Sequence, residues 1–327
     1  MDYSAAPGLT GAIPAVKTGV KRKLNVTELF TVKSLRVLKP YMFLLPALLI
    51  LGFWLYKPLI NTFYYSFTKW TMLPGTKPEP VGFANYLKLF GSKDFGTAVK
   101  NTGFYIVMLL PFSVVIPLIL ANVTNSMKGR MKNVYRALFF FPMIMAGVST
   151  ATIFRWLLNP GTGLVNILLN KTGIIDGSIS FFTQEETAKW AILLITGWKM
   201  IGFSTVIFSA ALTGTDKSYY EAASLDGSRK VRKFFDFTVP LISPTILFMV
   251  MMSILFASQW TFAYIDILTN GGPYGTSTNI YYEMYKYGFS SMNVGMSSAA
   301  ANLFLAVFGV IAAVLTTVSK KLAFYDN

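Results

Sequence analysis

A polar island opens with Glu221-Ala222-Ala223-Ser224-Leu225-Asp226-Gly227 and continues through a basic segment to Pro240. It separates two apolar segments that are each long enough to cross a membrane. A charged island between two such segments lies outside the bilayer, where a soluble partner can reach it. This stretch therefore indicates a membrane protein that presents a folded loop to another protein.

The spacing within residues 214–240 predicts two short helices joined by a turn. Thr215 or Asp216 can cap the first helix, and Gly227 supplies the positive φ that ends it. Four basic residues then open the second helix, and Pro240 marks the return to the membrane. We call this segment the 214–240 loop.

Four side chains of the 214–240 loop are candidates for contact with a partner or for shaping the turn. The small residues Ala222 and Ala223 let another protein surface approach closely. Glu221 is either a solvated loop acid or a charge that pairs with a basic residue of the partner. Asp226 is expected to cap or orient the turn, which is a structural role within a functional loop.

The composition excludes several classes of function. The 327 residues are 54% hydrophobic and include neither Cys nor His, and the mean hydropathy is +0.51. Disulfides, imidazole or thiolate metal sites and Ser-His or Cys-His nucleophiles are therefore excluded. We predict no catalytic residue and no metal site. The net charge of +15 could indicate nucleic acid, but in so apolar a chain it is typical of Lys and Arg flanking membrane spans.

Hydropathy predicts an all-α membrane protein with six transmembrane helices. A bilayer core of about 30 Å takes roughly 20 helical residues. The six expected spans lie within a membrane domain at 41–319, after a cytoplasmic N-terminal tail at 1–40 and before a C-terminal tail at 320–327. An amphipathic helix is expected near Val26–Leu38. The expected spans are 41–66, 102–124, 134–158, 189–213, 239–265 and 293–319.

The distribution of Lys and Arg predicts the orientation. If the N-terminus is inside, 18 basic residues lie on the inner side, nine on the outer side, and Lys57 and Lys199 within spans, which accounts for all 29. Cytoplasmic segments carry the excess of Lys and Arg. Both termini and the 214–240 loop are therefore expected in the cytoplasm.

The 214–240 loop resembles the EAA loop of the membrane subunits of bacterial ABC importers. Several other segments are similar to the carbohydrate branch of that family, the maltose and glycerol-3-phosphate type, and the resemblance covers roughly Pro40 to the C-terminus. It implies the maltose-permease-like (type I) fold, located in the bacterial inner membrane. The matching segments are Phe43-Leu44-Leu45-Pro46, Val81-Gly82-Phe83-Ala84-Asn85-Tyr86, Arg136-Ala137-Leu138-Phe139-Phe140-Phe141-Pro142, Trp156-Leu157-Leu158-Asn159-Pro160 and Leu268-Thr269-Asn270-Gly271-Gly272-Pro273.

The resemblance also implies partners. Two ATP-binding subunits would dock on the EAA loops and hold ATP and Mg²⁺, a second permease would complete a heterodimer, and an external binding protein would deliver a carbohydrate. The residues agree with an external energy source. The chain contains no GxxxxGK[ST] phosphate loop. None of the expected spans has an Asp or Glu in its middle, which counts against ion-coupled transport.

The fourth and fifth spans are the candidate substrate path. They place aromatic and neutral polar side chains at helical spacing, which suits the apolar faces and hydroxyls of sugars. The alternatives remain open: membrane Ser and Thr bond to their own helix or join helices, and Lys199 is either a carbonyl-bonded cation or a substrate contact. The candidates are Trp198, Lys199, Phe203, Ser253, Ser258, Gln259, Trp260 and Thr261. The resemblance adds Thr196 and Met200.

The function expected from this reading is import of a sugar or oligosaccharide. Glycerol phosphate or a charged oligosaccharide is an alternative substrate. From other classes, a membrane-embedded enzyme is the second alternative and a nucleic-acid binder the third. The chain offers no convergent acid, His or Cys constellation for an enzyme, and its charge is spread around apolar spans.

Overall fold

The computed structural model describes residues 40–127 and 129–322. The expected N-terminal tail and the helix expected near Val26–Leu38 lie outside the described residues. The chain divides into two units, Met1–Leu59 and Ile60–Asn327. Within the first unit the structure describes residues 40–59, which are helical. The strands and the other helices belong to the second unit.

The described residues are mostly helical, as predicted. In chain order the elements are α1 (Pro40–Tyr65), β1 (Thr68–Lys69), β2 (Glu79–Pro80), α2 (Ala84–Gly91), α3 (Lys93–Ser126), α4 (Arg130–Ile144), α5 (Gly147–Leu157), α6 (Leu164–Lys171), α7 (Glu185–Gly214), α8 (Lys217–Leu225), α9 (Lys230–Lys233), α10 (Val239–Leu241), α11 (Ser243–Thr269), α12 (Ile280–Tyr285) and α13 (Val294–Leu322). π-helical turns lie at Gly52–Tyr56, Pro111–Val115, Phe234–Thr238, Ile265–Thr269 and Lys286–Ser290. The strands β1 and β2 pair antiparallel, with Thr68 opposite Pro80.

Five continuous helices among the described residues are long and apolar enough to span a membrane, and they correspond to five of the six expected spans. They are α1, α3, α7, α11 and α13. The second span is the one whose limits differ most. It begins at Lys93 rather than near residue 102, because Ser92 caps a charged first turn with its side chain accepting from the Phe95 N–H.

The expected third span at 134–158 is not one straight helix. It consists of α4 and α5, which meet at an angle of 95°. Met145 and Ala146 between them have extended backbone, and Pro142 lies inside the last turn of α4. Proline lacks the N–H that donates the next hydrogen bond of a helix, and this local feature favours the end of α4 here. With the bent pair taken as one span, the described residues give six.

The core lies where α3, α7 and α11 pack together. Buried side chains from all three helices meet there, among them Leu109, Ile192, Ile195, Ala257 and Tyr264. Burial of such groups from water would be worth about 25 cal/mol per Å², but helices within a bilayer gain mainly from close packing and interhelical hydrogen bonds. The three helices therefore form the frame on which the candidate sites are mounted.

The Val81–Tyr86 motif has a structural role in this fold. The side-chain amide of the buried Asn85 donates to the carbonyl oxygens of Ser66 at 2.8 Å and Thr68 at 2.9 Å. Buried backbone carbonyls need such partners. The motif thus fixes the chain after α1 against α2.

Candidate functional site

The first helix of the 214–240 loop begins as the sequence predicts. Asp216 is the N-cap of α8, and its carboxylate accepts from the backbone N–H of Ser218 at 2.9 Å. This hydrogen bond lowers the pKa of Asp216 below its ordinary value. A side-chain oxygen at this position satisfies one of the four unpaired N–H groups of a helix start.

The same helix ends in a Schellman motif at Gly227. Its φ is +71°, its N–H donates to the carbonyl of Ser224 at 3.2 Å, and the N–H of Ser228 donates to that of Ala223 at 3.0 Å. This pair of bonds requires a left-handed residue, which glycine adopts without penalty. The predicted positive φ is confirmed.

Side-chain contacts hold the two helices of the loop together. Lys233 Nζ donates to Ser224 Oγ at 2.5 Å, and Tyr220 Oη donates to Thr238 Oγ1 at 3.2 Å. The chain turns into α11 at Ile242, two residues after Pro240. The loop is therefore a folded unit with a defined outer surface.

The accessible residues of the loop differ in part from the expected contact set. Glu221, Ala222, Asp226 and Gly227 are exposed, whereas Ala223 is buried within the chain. Of the two small residues, only Ala222 is accessible to another protein, because Ala223 lies on the inward face of α8.

Three large apolar side chains of this loop were missed by sequence reasoning. Leu225 is 91% exposed, and Val231 and Phe235 are also exposed. Large apolar side chains that are this exposed on a polar loop are candidates for contact with a partner. The signal was present in the sequence, because each side chain stands in a segment that must lie outside the bilayer.

A cavity of about 450 Å³ lies beside the loop. Glu221 contributes to its wall, together with Asn122, Asn125 and Lys132. Lys132 Nζ donates to the Asn125 side-chain oxygen at 2.8 Å. The carboxylate of Glu221 thus stands at the edge between this cavity and the outer surface of the loop.

An aromatic cluster joins the fourth and fifth spans. The rings of Phe256 and Trp260 stack with their centroids 4.4 Å apart. Phe203 meets both rings edge-on, at 5.6 and 5.8 Å. Trp198 packs instead against Phe154 of α5 at 5.5 Å. The structure therefore brings Phe203 and Trp260 together, whereas Trp198 contacts Phe154 and is not part of this cluster.

Two of the three candidate hydroxyl groups, those of Ser253 and Thr261, donate to backbone carbonyls of their own helix in this conformation. Ser253 donates to the Met249 carbonyl at 2.7 Å and lies 2.6 Å from Ser113 Oγ of α3. Thr261 donates to the Ala257 carbonyl at 2.6 Å. Both are fully buried. Their contact with substrate stays a prediction. The structure shows that both side chains are part of the packing of α11.

The remaining candidates divide between buried and accessible positions. Thr196, Met200 and Ser258 are fully buried. Ser258 Oγ has no hydrogen-bond partner among the described residues, while Gln259 is exposed. Of these residues, Gln259 is thus the polar side chain that the packing of this chain leaves exposed.

Lys199 is bonded at the corner between α4 and α5. Its Nζ donates to the backbone carbonyl of Met145 at 2.7 Å, and the side chain is half-buried. Arg155 of α5 makes a comparable bond, donating from Nη2 to the carbonyl of Ile267. Both cations are bonded to neutral carbonyl oxygens.

A second cavity, of about 270 Å³, lies in the segment between α11 and α13 and includes the Asn270–Gly271–Gly272 turn. The carboxyl of Glu283 lines it with only 2% of the side chain exposed. Lys286 Nζ lies 3.5 Å from Glu283 and 4.0 Å from Asp94. Burial raises the pKa of Glu283, and Lys286 opposes that shift. Sequence reasoning missed this acid, whose burial depends on tertiary contacts alone.

The raised pKa of Glu283 predicts a pH-dependent stability. The folded state holds this proton more tightly than the unfolded state, so stability falls as pH rises from the ordinary Glu range through the folded pKa. Lys286, Asp94, Tyr282 and Tyr287 face the group. We expect the thermal unfolding midpoint of purified Glu283→Gln protein to fall less than wild type between mildly acidic and neutral pH.

The control for this measurement is Glu79→Gln, which removes an exposed carboxyl on β2. It should follow the wild-type pH dependence. Identical pH dependence in wild type and Glu283→Gln would contradict the assignment.

Spanning helices that carry a folded helix-turn-helix on one polar loop define a membrane subunit of an importer. The chain belongs to the family of binding-protein-dependent transport system inner membrane components, which matches residues 102–323. It is 30% identical over 287 residues to the sn-glycerol-3-phosphate transport system permease protein UgpA of Yersinia pestis bv. Antiqua (strain Antiqua), covering 87% of this chain and 95% of that protein.

Solved structures show the same fold. A chain of a bacterial ABC transporter involved in the import of the acidic polysaccharide alginate superposes with a TM-score of 0.78 at 25% identity, covering 90% of this chain and all of that one. A chain of the bacterial alginate ABC transporter in complex with alginate pentasaccharide-bound periplasmic protein gives a TM-score of 0.77 at 25% identity, covering 88% and 96%. The expected fold class is confirmed.

Proposed function

We propose that this chain is the membrane-spanning subunit of an ATP-driven importer that moves a sugar or oligosaccharide delivered by an external binding protein. Family membership supports the importer class. The named substrates of the similar proteins, a glycerol phosphate and a polysaccharide, support a hydroxyl-rich solute. The aromatic cluster of Phe203, Phe256 and Trp260 offers the flat apolar surface on which a sugar ring packs.

The observation that carries this proposal is the folded, capped 214–240 loop with its exposed apolar and acidic side chains. In it, α8 ends in a bonded turn, and Leu225 stands almost wholly in solvent. Removing an exposed leucine side chain from water when a partner covers it is favourable by about 1.5–3 kcal/mol. The partner proposed here is a cytoplasmic ATP-binding subunit, which would hold ATP and Mg²⁺.

The remaining parts of the proposal concern assembly and orientation. A second, homologous permease would complete the passage as a heterodimer. The excess of Lys and Arg on one side supports cytoplasmic termini and a cytoplasmic 214–240 loop, in the inner membrane. The segments containing α6 and α12 would then face the external binding protein. Of the alternatives, glycerol phosphate is favoured by the named substrate of one similar protein.

We expect Leu225→Asp to reduce recovery of the ATP-binding subunits with the purified chain. The substitution replaces an exposed apolar side chain by a charge. The lost burial of a leucine is worth about 2 kcal/mol, which is roughly thirtyfold in affinity. ATP-driven uptake of an oligosaccharide into proteoliposomes should fall with it.

Leu73→Asp is the matched control, because Leu73 is also an exposed leucine of this chain but lies between β1 and β2. It should leave recovery of the ATP-binding subunits at the wild-type level. Equal recovery for both variants would refute docking at the 214–240 loop. Turnover of a sugar by the chain alone would favour the membrane-embedded enzyme.

A further inference from the structure

We propose that the translocated solute is anionic, an acidic saccharide bearing carboxylate or phosphate groups, and that Arg136 and Lys199 supply its positive counter-charge. This inference rests on the proposed function and narrows its substrate class. It follows from two of the cations that have no acidic partner among the described residues, the two that lie on α4 and α7.

Lys199 is the first of these cations. Its ammonium group donates to a neutral carbonyl, that of Met145. The ion pairs found among the described residues use Arg232 and Lys286 on the basic side, with Asp236, Asp94 and Glu283. Lys199 takes part in none of them. Its hydrogen bond fixes the position of the charge but leaves that charge uncompensated.

Arg136 is the second cation, and sequence reasoning noted it only as part of a matching segment. Its Nε and Nη2 atoms are buried and have no hydrogen-bond partner within residues 40–127 and 129–322. Most buried polar atoms in proteins have a partner, and an unpaired buried charge is costlier still. A guanidinium left in this state indicates an anion that this chain does not itself provide.

The helices that carry both cations contain no acid near them in the sequence. Residues 95–175 and 187–215 include no Asp or Glu at all. These ranges cover α4, α5 and nearly all of α7. The counter-charge must therefore come from another element, another chain or the solute.

The backbone places both cations near the seam, the contact between α4 and α7, because Arg136 lies three residues before Phe139 and so on the same face of α4. Lys199 meets Met145, and Gly202 lies against the carbonyl of Phe139, so the two helices run antiparallel. Arg136 is nine residues before Met145, whose carbonyl binds Lys199, and nine residues correspond to about 13 Å of helical rise. Helical side chains lean toward the N-terminus of their helix, which carries the guanidinium of Arg136 further toward the 214–240 loop.

Hydroxyl groups accompany the charges along the seam. Ser209 follows Gly202 by seven residues, about two turns, and so lies on the same face of α7. Its Oγ is buried without a partner among the described residues. Spaced cations with unpaired hydroxyls match a solute that carries both anionic groups and hydroxyls. Arginine in addition binds carboxylate and phosphate in a bidentate manner.

The test is equilibrium binding to the purified complex of this chain with its second permease and ATP-binding subunits, in the absence of the binding protein. The probes are a labelled oligogalacturonate and its uncharged methyl ester, with glycerol phosphate as a phosphate-bearing probe. We expect wild type to bind the acid about tenfold or more tightly than the ester. Arg136→Gln and Lys199→Gln should each reduce that preference, and Arg136→Lys should retain most of it.

Lys171→Gln is the control, since Lys171 is an exposed lysine of α6 outside the spans. It should keep the wild-type preference. Preference for glycerol phosphate over oligogalacturonate would assign the charge to phosphate, and the reverse to carboxylate. Equal binding of acid and ester by wild type would overturn the proposal. A second result would also overturn it: Arg136→Gln no longer co-purifies with the second permease but still prefers the acid over the ester to the wild-type extent. The counter-charge of Arg136 would then belong to that subunit.

Failure of the proposed function has a different signature. In that case wild type binds neither the acid nor the ester nor glycerol phosphate, and no ATP-binding subunit co-purifies. If wild type binds only the ester, the proposed importer function still holds and only the proposal of an anionic substrate is contradicted.

Discussion

We expect Gly227→Pro to leave the chain in the membrane but to uncouple it from the proposed ATP-binding subunits. Proline fixes φ near −65°, whereas the residue at this position has φ of +71°. The substitution also removes the N–H that bonds to Ser224. The end of α8 must then unwind, and the positions of Leu225 and Asp226 are lost. We expect ATP-driven uptake to fall below about a tenth of wild type, since a misplaced proline costs about 3 kcal/mol or more.

Two milder substitutions distinguish the effect of backbone conformation at Gly227 from the effect of steric overlap. A Cβ at Gly227 would meet nothing within 4 Å, so any effect of a side chain here comes from φ alone. Gly227→Ala should lower uptake moderately, because a left-handed alanine costs about 1–2 kcal/mol. Gly227→Asn should come closer to wild type. Normal uptake and normal recovery of the ATP-binding subunits in Gly227→Pro would refute the role of the turn.

Gly202→Ala disrupts the seam between α4 and α7. A Cβ at this position would overlap the backbone carbonyl oxygen of Phe139, and backbone gives way less easily than a flexible side chain. Overpacking of a tight contact costs about 1–3 kcal/mol, and here the two helices must separate. We expect a lower thermal midpoint and a lower yield of assembled complex, measured on protein purified in detergent.

Gly309→Ala is the matched control, since this glycine of α13 has nothing within 4 Å of a Cβ. Replacing an unhindered helical glycine by alanine is worth about 1 kcal/mol in favour of the helix. The two substitutions are chemically identical and should move stability in opposite directions. A fall of equal size in both would show that close approach to Phe139 is not the cause.

Local features of this fold could be predicted from the sequence. The cap at Asp216 and the left-handed turn at Gly227 depend on residues within one or two turns. The long apolar segments likewise follow from composition, and five of them are continuous helices. Such features need no knowledge of distant contacts.

Features that depend on distant contacts could not be predicted. The run at 134–158 stays apolar through its corner, so hydropathy gives no sign of the 95° bend, for which Pro142 is the local indication. The bond of Lys199 to Met145 joins residues 54 positions apart. Burial of Glu283 and the unpaired nitrogens of Arg136 arise in the same way. For substrate contacts the sequence supplied candidates, and the structure assigns several of them a packing role.

The two attachments of the 214–240 loop differ mechanically. On one side α7 runs unbroken for 30 residues, about 45 Å. It therefore acts as a stiff rod that leads away from the loop, and Lys199 near its middle contacts the corner between α4 and α5. On the other side the chain passes through α9, a π-helical turn and α10 before α11 begins at Ser243. Such interruptions are places where a helix bends. A displacement of the loop would therefore move α7 as a rigid body. On the side of α11 the same displacement would be taken up by bending at the interrupted segment, which acts as a hinge.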